Sequence, residues 1–175
     1  MSFSDSVKQA VEIVKLNGKV AEKVSKDKNA TVMGIIIIVI GGILSQILSI
    51  EIVTLIYTLI FLIIIYFIVV GITHILARLF GGKARYIEYF RAESHSAILG
   101  WLGILTIIPL LGGIISILSS IWGIVVSVVI LENVHKLTRI KAIVVVLIPV
   151  IIGLFLLSIG SIAYLGASNP QAFFS

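Results

Sequence analysis

Long uncharged stretches constrain the fold of this chain more than any other feature of its sequence. Residues 31–50 carry no charge, and after Glu51 alone the chain continues uncharged to about residue 77. Residues 97–131 are also uncharged, and another apolar run follows at about 140–164. Because an α-helix rises about 1.5 Å per residue, roughly 20 apolar residues cross the ~30 Å hydrocarbon core of a bilayer. The chain is therefore predicted to be an integral membrane protein.

The composition supports the same interpretation. Of the 175 residues, 12% are charged and 59% are hydrophobic, whereas soluble domains usually carry about 25% charged residues. Such a chain cannot cover a water-facing surface with its own polar groups, so lipid must cover it. The absence of cysteine excludes disulfides, thiolate metal ligands and a cysteine nucleophile. The formal charge of +5 could suggest nucleic acid as a partner, but the placement of the charges argues against it.

We predict an all-α fold, an integral membrane helical bundle of five transmembrane helices preceded by an N-terminal amphipathic helix. Residues 97–131 are too many for one span, and Pro109, Gly112 and Gly113 break them near the middle. A re-entrant hairpin is the alternative for this stretch. Pro149 predicts a kink in the last helix. The predicted membrane domain covers 31–165, with spans at about 31–50, 52–77, 96–111, 114–131 and 140–164.

All 13 basic residues fall on one side of this five-span arrangement. The turn at Glu51, the turn at 109–113 and the tail at 166–175 contain none of them. By the positive-inside rule the basic side is cytoplasmic. The N-terminus is therefore predicted to be cytoplasmic and the short C-terminal tail external, in the cell membrane. The basic residues are Lys8, Lys15, Lys19, Lys23, Lys26, Lys28, Arg78, Lys83, Arg85, Arg91, Lys136, Arg139 and Lys141.

Residues 3–24, within a predicted cytoplasmic region at 1–30, have the pattern of an amphipathic helix. At about 100° per residue, their apolar side chains fall on one half of the helix and their lysines on the other. Ser2 and Asp5 have the spacing of a capping box, and Asn17 with the following glycine can bend the helix. A helix on the membrane surface would place Lys8, Lys15, Lys19 and Lys23 on anionic headgroups. The alternatives are a helix packed under the bundle and a partly disordered segment.

Small residues recur at helix-packing intervals in two of the predicted spans. Gly41, Ser45 and Ser49 lie four residues apart in the first span, and the fourth span carries a second stripe. Such stripes allow helices to approach closely in lipid, although a serine stripe could also line a pore. Packing is favoured because no predicted span has an acid or base near its middle, as ion pathways usually do. The second stripe consists of Ser116, Ser120, Gly123 and Ser127.

The histidines raise the question of a metal or catalytic site. His74, His95 and the pair Glu132 and His135 all lie at the cytoplasmic ends of predicted spans, so they could converge. Zinc requires three or four such ligands, and a single Glu-x-x-His is a weak signal. The sequence also has no Gly-x-Ser-x-Gly, His-Glu-x-x-His or phosphate-binding loop. We therefore expect hydrogen-bonded residues at the interface, no metal, no cofactor and no catalytic residues.

Two segments resemble the Yip family of membrane proteins. Residues 74–83 read His-Ile-Leu-Ala-Arg-Leu-Phe-Gly-Gly-Lys, similar to the place where a helix of that family runs into a Gly-Gly-Lys turn. Residues 131–142 contain Val-His, a hydroxyl residue, a basic residue and Lys-Ala, as in the short loop before the family's last span. With the spans, the resemblance covers about 30–165. It implies five spans and a cytoplasmic N-terminal region.

The resemblance also bears on the partners of this chain. Eukaryotic members of the family are linked to Rab-type GTPases, vesicle traffic and the shape of organelle membranes. This sequence lacks their Asp-Leu-Tyr-Gly-Pro motif and almost all of their N-terminal domain, which argues against a Rab-type GTPase as partner. In these respects it resembles a prokaryotic member of the family.

The predicted function is that of a non-enzymatic membrane scaffold or interaction protein, with roles in membrane organisation or trafficking-like processes. Its predicted partners are the lipid bilayer and other membrane proteins or further copies of itself, and not nucleic acid. The alternative is a small channel or transporter that works as an oligomer. The candidate interaction residues on the cytoplasmic face are Arg78, Lys83, Arg85, Arg91, Glu132, His135, Arg139 and Lys141.

Overall fold

The computed structural model describes residues 2–46, 51–108 and 110–168. Over these ranges the chain forms helices joined by short turns, without a β-strand, which confirms the predicted all-helical fold. Ser49, Pro109 and the end of the tail at 169–175 lie outside the described residues. The elements are α1 (Phe3–Val14), α2 (Gly18–Lys26), α3 (Ala30–Ser45), α4 (Ile52–Leu79), α5 (Tyr86–Ser96), a 3₁₀-helix (Ala97–Ile107), α6 (Leu111–Val134) and α7 (Arg139–Ser168).

Among the residues that the structure describes, three helices are long and apolar enough to cross a membrane. They are α4, α6 and the Arg139–Ile162 part of α7, and only 6%, 22% and 17% of their most apolar windows is buried inside the fold. The remaining apolar surface faces outward and needs lipid to cover it. A fourth candidate is the pair α2 and α3, which is bent by 116° at the break between the two helices.

The predicted spans 31–50 and 96–111 are realised as shorter elements. The helix α3 has 16 residues, and the 3₁₀-helix has 11. At about 1.5 and 2.0 Å per residue these cover roughly 24 and 22 Å. The following turn into α6 is tight, because a Cβ on Gly112 would lie 2.6 Å from the Cα of Thr106. Leu110 makes this turn with a φ of 69°.

Small residues let α3 and the 3₁₀-helix lie against each other. A Cβ on Gly41 would lie 3.4 Å from Cδ1 of Trp101, and one on Gly103 would lie 3.4 Å from Cβ of Ser45. The indole Nε1 of Trp101 donates a hydrogen bond of 3.0 Å to the backbone oxygen of Ile37. These contacts join the two short elements into one unit beside the longer helices.

The predicted helix at 3–24 is divided into two helices. The capping box between Ser2 and Asp5 is present at the start of α1. The chain leaves α1 at Leu16, whose φ is 69°. Asn17 then caps α2, because its side-chain oxygen accepts a hydrogen bond of 3.3 Å from the backbone N–H of Val20. The bend predicted at Asn17 is therefore a complete break with its own cap.

The apolar side of α1 and α2 is packed against protein. Ala10, Ile13, Ala21 and Val24 are at most 1% exposed, and the two helices contact α5 and α6. Trp122 on α6 fixes the end of α1 by donating from Nε1 to the backbone oxygen of Val14 over 2.8 Å. The structure thus matches the alternative of a helix packed under the bundle, since these side chains are not free to enter lipid.

Two contacts bring the ends of the long helices together, and a third joins them to α2. The backbone N–H of Lys83 donates to the backbone oxygen of His135 over 3.0 Å, and Lys141 Nζ donates to the backbone oxygen of Phe80 over 3.0 Å. Lys136 Nζ lies 2.7 Å from a carboxylate oxygen of Glu22 on α2. We call this region, where α4 and α6 end and α7 begins, the basic end. After α4, the chain runs away from the basic end through α5 and the 3₁₀-helix before it enters α6.

Arg91, predicted as a surface interaction residue, is instead buried and 9% exposed. Its Nε donates to the hydroxyl of Thr31 over 2.8 Å, and its Nη1 donates to the backbone oxygen of Ser25 over 3.2 Å. The guanidinium therefore ties α5 to the junction between α2 and α3. The prediction for Arg91 failed because the sequence shows its charge but does not show that the oxygens of Thr31 and Ser25 lie within reach of its guanidinium.

We expect that replacing Arg91 with Met lowers the free energy of unfolding by about 1.5–3 kcal/mol, the usual range for hydrogen bonds made by a charged group. The matched control is Arg85→Met, because the Arg85 side chain is 77% exposed and pairs with Glu88; such a surface pair contributes about 0–1 kcal/mol. Unfolding of the purified protein in detergent would measure both. Equal losses in the two variants would contradict the role assigned to Arg91.

Candidate functional site

Most of the predicted interaction residues converge on the basic end and are exposed there. Arg78 donates from Nη1 to the backbone oxygen of Gly82 over 3.2 Å. Arg139 pairs with Glu132, with Nε 3.0 Å from Oε1. Lys141 donates a hydrogen bond to the backbone oxygen of Phe80 in the turn after α4. Exposed predicted residues at this end are Arg78, Lys83, Arg85, Arg139 and Lys141.

The lysines of α1 and α2 are also exposed. Lys8, Lys15, Lys19 and Lys23 project from these two helices, whose other side is packed on α5 and α6. Contact of these lysines with anionic headgroups stays a prediction. Apart from Arg91, every basic side chain of the protein is exposed.

The histidines are only partly brought together. Nδ1 of His74 lies 3.2 Å from Nε2 of His135, and the ring of Tyr89 lies 5.2 Å from that of His135. His95 lies elsewhere, with Nδ1 2.7 Å from the backbone oxygen of Arg91. No group of three or more His, Asp or Glu able to hold a metal occurs among the residues that the structure describes.

His135 was predicted as an interaction residue on the cytoplasmic face, but its side chain is not accessible to a partner. Its side chain is fully buried, because the turn after α4 closes over it: a Cβ on Gly82 would lie 2.5 Å from its Nδ1. Burial lowers the pKa of His135 to about 4, and the positive fields of His74 and Arg78 add to the effect, while Glu88 opposes it. The imidazole is therefore neutral at neutral pH.

The lowered pKa of His135 predicts a loss of stability in mild acid. Below about pH 6.5 the unfolded chain takes up a proton at this residue, whereas the native protein does so only near pH 4. The contribution of His135 is therefore fully present above pH 6.5 and falls between pH 6.5 and 4. A His135→Phe variant should lose this part of the pH dependence when thermal unfolding is measured across that range. An unchanged slope would contradict the prediction.

A cavity of about 260 Å³ lies between α4, α5, α6 and α7. Most of its lining is apolar, including Val70, Ile124, Val146 and Pro149. The three helices that contribute most of the lining are those long enough to cross a membrane. Polar side chains that line the cavity are Tyr66 and Thr73 from α4, Tyr89 and Glu93 from α5, and Ser120 and Ser127 from α6.

Glu93 is the acidic group of this cavity. The hydroxyl of Ser127 donates to Oε1 over 2.6 Å, and the hydroxyl of Tyr66 donates to the Glu93 backbone oxygen over 2.7 Å. The second carboxyl oxygen, Oε2, is buried without a hydrogen-bond partner in the described part of the chain. Burial raises the pKa of Glu93, although the hydroxyl groups of Ser127 and Tyr89 near the carboxyl lower it in part.

Sequence reasoning missed Glu93 because it placed this residue in a cytoplasmic loop. The absence of acids and bases near the middle of the predicted spans was used as evidence against an ion pathway. The structure shows that α5 packs against the long helices, with Tyr89 and Phe90 at most 1% exposed, and so carries a carboxyl among them. The spacing of Tyr89 and Glu93, four residues apart on one helix face, was the signal that could have revealed it.

The α6 stripe runs along two cavities. Gly123 and Ser127 line the cavity that contains Glu93, and Ser116 lines a second one of about 280 Å³ between α6 and the 3₁₀-helix. Ser120 lines both. The nearest atom to a Cβ on Gly123 would be Cδ1 of Leu99, 3.9 Å away. No close helix contact occurs at Gly123, in contrast to Gly41 on α3.

Comparison with known proteins places this architecture in a family. The family model described as the Yip1 domain matches residues 17–160, which include α2 to α6 and most of α7. No curated protein and no solved structure gives a significant match. The matched range covers most of the chain and both segments in which the resemblance was noted. The chain therefore belongs to the Yip family of membrane proteins.

Proposed function

We propose that this protein is a non-enzymatic membrane scaffold that binds other membrane proteins through its basic end and through α1 and α2, which contact that end at the Lys136–Glu22 pair. The observation that carries the proposal is the docked layer formed by α1 and α2. Ala10, Ile13, Ala21 and Val24 are buried and the two helices contact α5 and α6, while their lysines are exposed. Because the layer is already folded, a partner would not bear the entropic cost of ordering it. Its positive charge favours a partner with an acidic surface.

The arrangement of helix ends supports a five-span topology as part of this proposal. The ends of α4 and α6 and the start of α7 meet at the basic end, so the chain must cross to the other end between α4 and α6. We assign this crossing to the 3₁₀-helix and a further one to α3, which packs beside it. The N-terminus would be cytoplasmic and the C-terminus external, in the cell membrane of a prokaryote.

Single cysteines can test this topology without background, because the native chain contains none. Lys83 is exposed at the basic end, and Leu110, 86% exposed, lies in the turn before α6. A membrane-impermeant maleimide should label Leu110→Cys on intact cells and Lys83→Cys only after permeabilisation. Labelling of both positions from the same side would contradict the five-span topology.

The scaffold role predicts that partner binding depends on the charge of the docked layer. Changing Lys8, Lys15, Lys19 and Lys23 to Gln should remove the acidic partners that co-purify with the tagged protein from native membranes at low salt. The same four positions changed to Arg provide the control and should retain them. Thermal stability should change little in either variant, because exposed substitutions usually alter it by within about 0.5 kcal/mol.

Co-purification of the same proteins in the same amounts with the Gln and Arg variants would contradict the proposal. Retention in both variants would show that the charges of the docked layer do not select partners. Loss in both would show that the lysines act through their particular side-chain shape, and not through charge.

A small channel working as an oligomer is the second candidate. Ser120 favours it, because this residue lines both cavities and could connect them into a polar path. The scaffold is preferred because apolar residues and glycines make up most of the lining of each cavity, and ion pathways require polar groups along their whole length.

A further inference from the structure

We propose that the cavity between α4, α5, α6 and α7 binds an organic ammonium group, with the carboxylate of Glu93 as its counter-ion. This inference is independent of the scaffold role, which concerns the exposed surface of the basic end. It rests on the partners of Glu93, on the surrounding charges and on the shape and chemistry of the cavity.

The carboxyl group of Glu93 has one free acceptor. Oε1 already accepts the hydrogen bond from Ser127, and the hydroxyl of Tyr66 is engaged with the backbone oxygen of Glu93. Oε2 is buried and has no partner among the described residues. A buried oxygen in this state is unfavourable unless a donor reaches it. A donor supplied by a ligand would satisfy it.

The protein itself places no cation beside Glu93. The nearest basic residue along α5, Arg91, donates to Ser25 and Thr31 on the other side of the helix. None of the ion pairs in the described part of the chain includes Glu93. A charged carboxylate at this place needs a compensating charge, which must be either a proton or a bound cation.

The cavity is better suited to an organic ammonium than to other cations. A guanidinium binds best through both oxygens of a carboxylate, but Ser127 occupies one of them. An alkali ion requires several oxygen ligands and would leave most of the 260 Å³ empty. The apolar walls formed by Val70, Ile124 and Val146 can instead pack on carbon atoms, while Oε2 accepts a hydrogen bond from the ammonium group.

The size of the cavity limits the ligand to a small group. Drug-sized ligands occupy about 300–1,000 Å³, and a cavity of about 150 Å³ holds benzene, so 260 Å³ suits an ammonium with a few carbons. Val69 is 47% exposed and Ser120 is exposed, so the cavity reaches the outer surface of α4 and α6. Either a dissolved amine or the headgroup of an aminophospholipid could enter there.

Binding of the ammonium competes with protonation of the site. Burial raises the pKa of Glu93, and the ammonium group pairs with its carboxylate form, so a proton on the carboxyl opposes binding. The titratable groups that face Glu93 are Tyr66 on α4 and Tyr89 on α5, and α6 and α7 contribute only uncharged residues to the lining. Affinity should therefore increase with pH until the amine itself loses its proton.

The test uses the full chain purified in dodecyl maltoside, with butylammonium chloride as the probe. At millimolar concentrations and pH 7.5, butylammonium should raise the thermal unfolding temperature of the wild type, and the shift should shrink at pH 5.5. Sodium chloride supplies only the ionic strength and 1-butanol only the carbon chain, so neither should reproduce the shift in unfolding temperature. Glu93→Gln should need at least a tenfold higher butylammonium concentration to reach the same shift in unfolding temperature.

Two further variants make the result decisive. Glu12→Gln removes a carboxylate from the exposed side of α1 and should respond like the wild type. Gly123→Val places a larger side chain in the cavity from α6 and leaves Glu93 unchanged, so it should also lose the response to butylammonium. This variant takes the place of Glu93→Gln if Glu93→Gln does not fold. An equal shift with 1-butanol or sodium chloride, or a full response in both cavity variants, would overturn the proposal.

Nanodiscs distinguish the two sources of the ammonium group. In phosphatidylglycerol nanodiscs, butylammonium should stabilise the wild type as it does in detergent. If an aminophospholipid headgroup is the ligand, adding phosphatidylethanolamine should stabilise the wild type but not Glu93→Gln, and butylammonium should then add little. If a dissolved amine is the ligand, butylammonium should act equally with either lipid. Absence of any response in both lipids would overturn the proposal.

Discussion

The placement of α5 depends on the buried guanidinium of Arg91, and the rest of the fold depends on α5. Hydrogen bonds to Thr31 and Ser25 hold this helix against the start of α3. The other side of α5 then carries Tyr89 and Glu93 toward the long helices. A buried charge is stable only when its donors are satisfied, so the acceptors around Arg91 specify where α5 can lie. One short polar helix thereby connects the basic end to the bundle interior.

The long helices could be predicted from sequence, and α5 could not. For α4, α6 and α7, lipid is the only solvent that an uncharged stretch of this length tolerates, so the sequence alone determines their environment. The segment 86–96 contains both Arg91 and Glu93, and local composition made it a loop. Only acceptors from α2 and α3 and the hydroxyl of Ser127 make burial of these two charges possible. Such partners are set by tertiary packing, which a single sequence does not display.

The lengths of the short elements and the pitch of the 3₁₀-helix could not be predicted for a related reason. A pattern of apolar residues gives the length of a stretch but not its pitch, and residues 97–107 form a 3₁₀-helix against α3. The glycines at Gly41 and Gly103 allow that contact from the two sides. The break after α1 was only partly visible, because the sequence shows that Asn17 can cap a helix but not that Trp122 anchors the end of the preceding one.

The concentration of positive charge at the basic end is moderated by a few acids. Glu22 lies 2.8 Å from Lys26 and 2.7 Å from Lys136, so one carboxylate joins α2 to the turn before α7. The hydrogen bonds from these lysines lower the pKa of Glu22 to about 2. Glu22 therefore stays charged at any physiological pH and reduces the repulsion between the two lysines. The remaining lysines of α1 and α2 can then stay exposed without pushing the docked layer away.

The small residues of α6 and the carboxyl of Glu93 together account for the interior cavity. Gly123 lines this cavity, and a Cβ there would meet only Cδ1 of Leu99 within 4 Å, so the glycine leaves open space on α6. The hydroxyl of Ser127 partly compensates for burying the carboxyl, yet Oε2 keeps an acceptor that the protein does not use. Packing alone would favour an apolar residue at position 93, since a well-packed apolar group is often more stable than a buried charge. A carboxyl group in this position is therefore better explained by a ligand than by stability.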